Sequence, residues 1–417
     1  MPNSWRSTVF WFNPAGSIEV SGNISPSLER WFLSRISVPR EGAHAADPLE
    51  KLTVIVPSYC RQPFLLRQIV YWMHSPVKAI ILDGSPEPLS PQRLKSIQHL
   101  SNITYRHNPV SLVERLAAAA SMIGTPYAVL LGDDEFHLHS GLRSAIQRLQ
   151  ENPETGGCIG QSIKFFVSKN NTQIAYGSGY AHFKYGAQSE SIQERFEHAM
   201  EHYNAATCYA VLRTEVWKDS WAAVVKTSCK DVVEVQQALA TYGAGKFSTV
   251  DQICWLRSYE VMPVTDHNHF KILSFPTWWA SAAYADERRQ VVAAIAAVIQ
   301  KHARLPAAEA ESTARNGLEM FNRFYQRSFP APSLFNRARM KGVLVSFLRS
   351  VMPAGFYSAL KNRIVPDAEL DPVQFADIGG REALALERCE NLFKFEAETD
   401  RELQAIESLI FDFYRHY

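Results

Sequence analysis

The feature that most constrains this chain is an alternation, between residues 52 and 135, of short apolar runs with stretches of helical spacing. Leu52-Thr53-Val54-Ile55-Val56 is a continuous, β-branched run that stops at Pro57, the pattern of a strand buried on both faces. Residues 64–73 have helical spacing, 77–82 form a second strand closed by Asp83-Gly84-Ser85-Pro86, and 91–100 a second helix. A short strand at 103–105, an alanine-rich helix at 112–122 and a buried strand at 127–131 follow, the last running into Gly132-Asp133-Asp134-Glu135. Elements of these lengths in alternation predict an α/β fold with a mostly parallel sheet flanked by helices. Ligands of such sheets bind outside the carboxyl ends of the strands. Here those ends carry Pro57-Ser58-Tyr59, Asp83-Gly84-Ser85 and Asp133-Asp134-Glu135.

Past residue 150 the pattern weakens. Residues 163–167 and 206–212 read as strands and 191–202 and 231–241 as helices, while the chain after about residue 270 reads as mainly helical. The expected division is an N-terminal extension over 1–50, whose helix at 27–36 docks on the main body, an α/β domain over 51–265 and a helical C-terminal domain over 266–417.

Several function classes are excluded at this point. The 43 Lys and Arg balance 42 Asp and Glu, a net charge of +1, so no global field for nucleic acid exists. There is no GxxxxGK[ST] loop, no GxGxxG after the first strand and no GxSxG elbow, which removes P-loop kinases, dinucleotide oxidoreductases and serine hydrolases. The six cysteines are scattered without a CxxC or zinc spacing, which fits free thiols in a reducing compartment. With no signal-like N-terminus and no apolar run near the ~18 residues that span a bilayer, the expected location is cytoplasmic.

The acidic triplet is the sharpest motif. On an extended segment Asp133 and Glu135 project to one side and Asp134 to the other. Carboxylates converging at a buried strand end repel unless a cation lies between them, and Mg²⁺ or Mn²⁺ on phosphate oxygens meets that need. An acidic turn facing water is the alternative. Asp83-Gly84-Ser85 reads, by itself, as a plain turn. Asp231 and Glu234 are spaced i,i+3 at a helix start, so both can face one cleft, or Asp231 can cap the helix.

Taken in order, these motifs resemble the GT-A glycosyltransferases, particularly the family-2-like group of bacterial surface-glycan enzymes. Val54-Ile55-Val56-Pro57-Ser58-Tyr59-Cys60-Arg61 resembles that group's opening strand and turn, Leu82-Asp83-Gly84-Ser85 its DDGS strand end, and Gly132-Asp133-Asp134-Glu135 its DxD motif. Asn108 and Arg115 resemble the segment between them. The likeness spans residues 51–260, with Cys60 in place of Asn, Leu82 in place of the first acid of DDGS and Glu135 in place of the last Asp. It implies that Pro57, Tyr59 and Arg61 frame the nucleobase and ribose, that Asp83 accepts from the base, and that Arg115 approaches the diphosphate with Asp134 beside the donor. Asp133 and Glu135 would hold Mn²⁺ or Mg²⁺ on the diphosphate. Asp231, with Glu234 second, would be the general base of an inverting transfer. Tyr209 and Arg213 resemble the approach to the acceptor side. His267 and His269 resemble histidines that complete the metal site in some GT-A enzymes, or belong to a polar loop between domains; His137 and His139 are placed the same way.

The implied activity is metal-dependent transfer of a sugar from a nucleotide-sugar donor, UDP-linked first, to the hydroxyl of a glycan or lipid-linked glycan in polysaccharide assembly. A nucleotidyltransferase and a non-catalytic nucleotide-sugar-binding scaffold are the alternatives. Residues 336–363 carry six Arg and Lys among apolar residues and no acid, the pattern of an amphipathic helix that lies on an anionic inner-membrane surface or packs on the body.

Overall fold

The computed structural model describes residues 24–36, 47–167, 171, 173–179, 185–201, 203, 206–260, 273–328 and 396–417. His267, His269 and the basic segment 336–363 lie outside the described residues. In chain order the elements are α1 (Pro26–Ile36), β1 (Leu52–Ser58), α2 (Gln62–Trp72), β2 (Lys78–Asp83), α3 (Pro91–Ile97), β3 (Ile103–His107) and α4 (Leu112–Ala119). There follow β4 (Tyr127–Leu130), β5 (Phe136–His137), α5 (His139–Glu151), β6 (Thr155–Val167), β7 (Ile174–Ser178), α6 (Ile192–Glu201), β8 (Val211–Arg213) and α7 (Thr214–Ala222). The remainder is α8 (Asp231–Ala244), β9 (Lys246–Ser258), α9 (Phe275–Ala280), α10 (Ala285–Ala303), α11 (Ala307–Ser328) and α12 (Ala397–Tyr414).

Among the described residues nine strands join one sheet in the order β3-β2-β1-β4-β8-β6-β9-β5, with β7 on a free stretch of β6. The expected mostly parallel sheet is corrected to a mixed one. β3-β2-β1-β4 is parallel, as is β6 with β9, but β8 runs antiparallel to both β4 and β6, and β5 and β7 are also antiparallel to their partners. The first half follows from the buried runs: β4 and all but one residue each of β1 and β2 are buried, as helices on both faces require. Local signals close the helices. Ser90 caps α3 ahead of Pro91, and Ser111 with Glu114 forms a capping box on α4.

The second half departs further from the sequence reading. β6 and β9 are both 13 residues long, and the predicted strand at 206–212 shrinks to Val211–Arg213 after a short helical turn. Gly160 explains part of this, since a Cβ there would overlap the Cys254 sulfur and the Gln252 carbonyl; only glycine lets β9 approach so closely.

One apolar core runs from Leu28 of α1 through the sheet to Val291 and Ile295 of α10, Phe321 of α11 and Phe413 of α12. The helices that the sequence assigns to a C-terminal unit therefore share the core of the sheet. α1 docks as expected, with Trp31 Nε1 donating to Asp412 Oδ2 at 2.6 Å and its ring meeting Phe413 edge-on. No helix among the described residues is long and apolar enough to cross a membrane.

Candidate active site

The parallel half places the carboxyl ends of β1, β2 and β4 side by side, with the connection reversing direction between β1 and β4. That crevice is where a doubly wound sheet binds its ligand. β1 enters it with Ser58, then Tyr59, whose side chain is 38% exposed, and Cys60, whose φ of 54° is left-handed and turns the chain into α2. Ser85 Oγ accepts from the Cys60 backbone N–H at 2.9 Å and so fixes that turn.

The acidic triplet is a turn rather than an extended segment, because the Glu135 N–H donates to the Gly132 carbonyl at 3.2 Å. The expected pairing of Asp133 with Glu135 is therefore corrected. Asp133 and Asp134 instead share Arg61, whose Nη1 lies 2.9 Å from Asp133 Oδ1 and whose Nη2 lies 2.6 Å from Asp134 Oδ2. Ser58 Oγ donates to the other Asp133 oxygen at 2.8 Å. Glu135 folds back over Gly132, and its Oε2 accepts from the Gly132 N–H at 3.4 Å and from Trp255 Nε1 at 3.0 Å. Burial pushes Asp133 up, against the Arg61 charge, with the Asp134 charge adding to the rise. Burial and the same Asp134 charge push Glu135 up to about 8, opposed by the Arg257 charge and by hydrogen bonds from Trp255 and the Gly132 N–H.

This donor set does not fit a divalent ion. Both Asp133 oxygens are engaged, Asp134 is paired with a guanidinium, and Glu135 is turned toward an indole. Among the described residues no three Asp, Glu, His or Cys side chains converge as ligands.

Behind the turn stands a second arginine that the sequence reading did not single out. Arg67 makes a two-pronged pair with Glu260, both bonds 2.7 Å and both side chains fully buried, and its Nη2 also donates to the Asp134 carbonyl at 3.1 Å. Phe64, Phe136 and Phe413 face its guanidinium at 4.8–5.1 Å. Gln68, the next residue of α2, donates to the Glu135 carbonyl at 2.6 Å. An Arg-Gln pair inside the run Phe64-Leu65-Leu66 and Ile69-Val70 is the sequence signal for such buried partners.

Two proposed donor contacts are committed elsewhere. Asp83 is fully buried, one oxygen accepting from the Ser85 N–H at 2.9 Å and the other from Tyr105 Oη at 2.8 Å. Arg115 Nη1 donates to the carbonyls of Ser58 and Leu82 at 2.6 and 2.7 Å, clamping β1 to β2, in space that only Gly84 leaves open. Pro57 lies within β1 opposite Leu82. Arg213 is not at this site; it donates to the carbonyls of Leu149, Asn152 and Thr155. His137 is fully buried between the carbonyls of Leu130 and Cys254, each 3.0 Å away, and His139 bonds Ser75.

Opposite the acidic turn stands the start of α8. Asp231 opens the helix without capping it, since Lys230 is the cap residue and makes no side-chain cap bond. Burial raises Asp231 to about 6, opposed by the Lys230 charge and a hydrogen bond from Tyr325. Glu234, one turn on, is exposed, and desolvation by the surrounding protein followed by the Asp231 charge raises it to about 7. Between the two walls Tyr209 stacks on Trp255, ring centroids 4.0 Å apart and planes 17° from parallel. Tyr209 and Cys208 feel the charges of both Glu135 and Glu234, so both acids lie near the Tyr209–Trp255 stack.

No family model and no curated protein matches this chain. Among solved structures it is similar to the 1–349 fragment of TarS of S. aureus, at 14% identity and a TM-score of 0.41 over 74% of this chain and 83% of that one. The same fragment in complex with UDP-GlcNAc aligns at 13% and 0.42 over the same shares. The longer TarS aligns at 11% and 0.35, over 68% of this chain and 56% of its own. Likeness at this distance assigns neither fold nor chemistry to the chain.

Proposed function

We propose that this protein is a glycosyltransferase that binds a nucleotide sugar in the crevice between β1 and β4 and transfers the sugar to a glycan hydroxyl. The observation that carries the reading is a chain of contacts at the strand ends. Trp255 bonds Glu135 of the acidic turn and stacks on Tyr209, which feels Glu234, and Asp231 and Glu234 have their acidities moved toward neutral. A carboxylate with a pKa near 7, open to solvent, is suited to take a proton from an attacking hydroxyl. Glu234 meets those conditions better than Asp231, which Tyr325 and Lys230 hold. In this reading the exposed ring of Tyr59 offers a face to the nucleobase, and Arg61 keeps the turn beside the diphosphate compact. No step is assigned to a metal ion, since the acids that would hold one are engaged by Arg61, Ser58 and Trp255.

A thermal-shift series with UDP, UDP-sugars and other nucleotide sugars, each with and without Mn²⁺, tests the reading. Ligand linkage raises the melting temperature for a nucleotide that binds the folded state. Release of a nucleoside diphosphate on adding a glycan acceptor confirms transfer, whereas pyrophosphate identifies a nucleotidyltransferase. Absence of any shift removes the proposal.

A further inference from the structure

A second concavity lies at the end of the sheet away from the acidic turn. Its volume is about 730 Å³, and it is bounded by the residues that lead into β4 and β6, by the end of β8 and by the first turn of α7. Two of its lining residues keep polar capacity that the fold does not use. Thr155, the first residue of β6, is fully buried, and among the described residues its Oγ1 has no hydrogen-bond partner. Arg213 donates through Nε and Nη2 to three main-chain carbonyls, while among the described residues Nη1 has no partner and no carboxylate pairs with the guanidinium. α7 follows at once, nine residues long and with no side chain capping its first turn, so its positive end adds to the Arg213 charge. Acids line the concavity as well, but they face water. Glu154 is exposed, and the Glu215 side chain is 68% exposed and lies 3.4 Å from Lys218 Nζ. The more buried part of the lining is thus hydroxylic and positive.

We propose that this concavity is a second ligand site, one that takes the phosphate or carboxylate group of a small molecule. The group lies against the start of α7 and accepts from Arg213 Nη1 and from first-turn N–H groups, with the Thr155 hydroxyl free to donate to it. A buried hydroxyl without a partner costs stability, and an oxyanion supplies the acceptor that the protein lacks there. A guanidinium beside a helix N-terminus matches the several oxygens of such a group, and Lys218 at the rim attracts it. The volume leaves room for a molecule larger than a free ion. The lining shares no residue with the acidic turn or with the strand ends of β1 and β2, and the inference does not depend on the glycosyl-transfer reading.

Calorimetric titration of the full chain with inorganic phosphate, glucose 6-phosphate, citrate and uncharged glucose tests it, at about 150 mM NaCl so that loose ion attraction is screened. At least one of the three anions is expected to bind with a Kd below about 1 mM, and glucose is not. Which anion binds tells phosphate from carboxylate. Lys218→Glu reverses a charge at the rim, outside the core, and should weaken that anion about tenfold or more. Thr155→Val keeps the shape and removes the unpartnered hydroxyl. It should weaken the anion too, while the melting temperature of the free protein stays level or rises. UDP affinity should be unchanged in both variants. Absence of binding by all three anions overturns the inference, as does an affinity that survives both substitutions. A Thr155→Val protein that melts earlier without ligand would show the hydroxyl bonded within the fold, and that also overturns it. If UDP and UDP-sugars fail to bind while the anion still does, the glycosyl-transfer reading falls and this site stands.

Discussion

The two walls of the cleft treat their carboxylates in opposite ways. At the acidic turn Asp133, Asp134 and Glu260 are each matched to an arginine or a hydroxyl, in layers that reach down to the fully buried Arg67–Glu260 pair. At the start of α8 the desolvation of Glu234 is opposed, among the described residues, by the charges of Arg257 and Lys230, and it keeps access to solvent. Charge that is bonded from every side sets geometry. Charge left partly unmet near neutral pH is available to exchange a proton. The first wall is thus the frame and the second the reactive one, although the acidic triplet dominates the sequence.

The largest effect should follow from breaking the frame. Glu260→Gln leaves Arg67 charged and without its ion pair in a fully buried setting, which should cost about 3–5 kcal/mol in urea unfolding. Replacing both partners with apolar residues, Arg67→Met with Glu260→Leu, should restore most of that loss, because the desolvation of two charges is removed along with their attraction. A cost below about 1 kcal/mol for Glu260→Gln would mean that the pair is solvated and the wall is not wired as described.

The reactive wall should respond in rate and not in stability. Glu234→Gln is expected to slow sugar transfer by about 10²-fold or more while leaving UDP affinity and melting temperature unchanged. Its loss should also erase an acid limb in the pH–rate profile, centred near 7, below which the base is protonated. Asp231→Asn should slow transfer less. If instead Asp231→Asn carries the large loss and Glu234→Gln is silent, the base is Asp231 and the exposure of Glu234 has no catalytic meaning.

How much of this was legible depends on how local the cause is. β1, β2 and β4 announce themselves because burial on both faces demands unbroken apolar runs. Of β6 only the stretch 163–167 does, because Gly156, Gly157 and Gly160 interrupt the pattern before it, and the close approach of β9 that Gly160 permits exists only in the folded sheet. The strand-end positions of Asp83 and Asp133 were likewise readable, while their partners were not. Arg61 meets Asp134 across 73 residues and Arg67 meets Glu260 across 193, and no periodicity encodes such pairings. The turn at Gly132 then directs Asp133 and Glu135 apart, which an extended reading of the triplet does not anticipate.

Tyr105 offers a smaller test of the frame. Its hydroxyl donates to the buried carboxylate of Asp83, so Tyr105→Phe leaves one oxygen short of a donor and should cost about 1–3 kcal/mol. If the same variant lost nucleotide affinity with no change in unfolding, Asp83 would belong to the donor site as the sequence resemblance implies, and the separation between framing and reactive acids would fail at that position.

The smallest effect is a pH slope that the frame itself should produce. Glu135 sits near 8 in the folded protein, raised first by burial and then by the Asp134 charge, against an ordinary value of 4.5. Between those two values the folded state holds a proton that the unfolded chain has released, so stability is complete below about pH 4.5 and declines as pH rises through 8. Between pH 7 and 8 the change should be on the order of 1 kcal/mol. Glu135→Gln keeps the shape and cannot ionise, so urea midpoints across that interval should flatten relative to the parent protein. A slope of the opposite sign, with the parent gaining stability toward pH 8, would show Glu135 ionised in the native state. The acidic turn would then carry a third negative charge with, among the described residues, Arg61 alone paired to its side chains, and its fit to a divalent cation would have to be reopened.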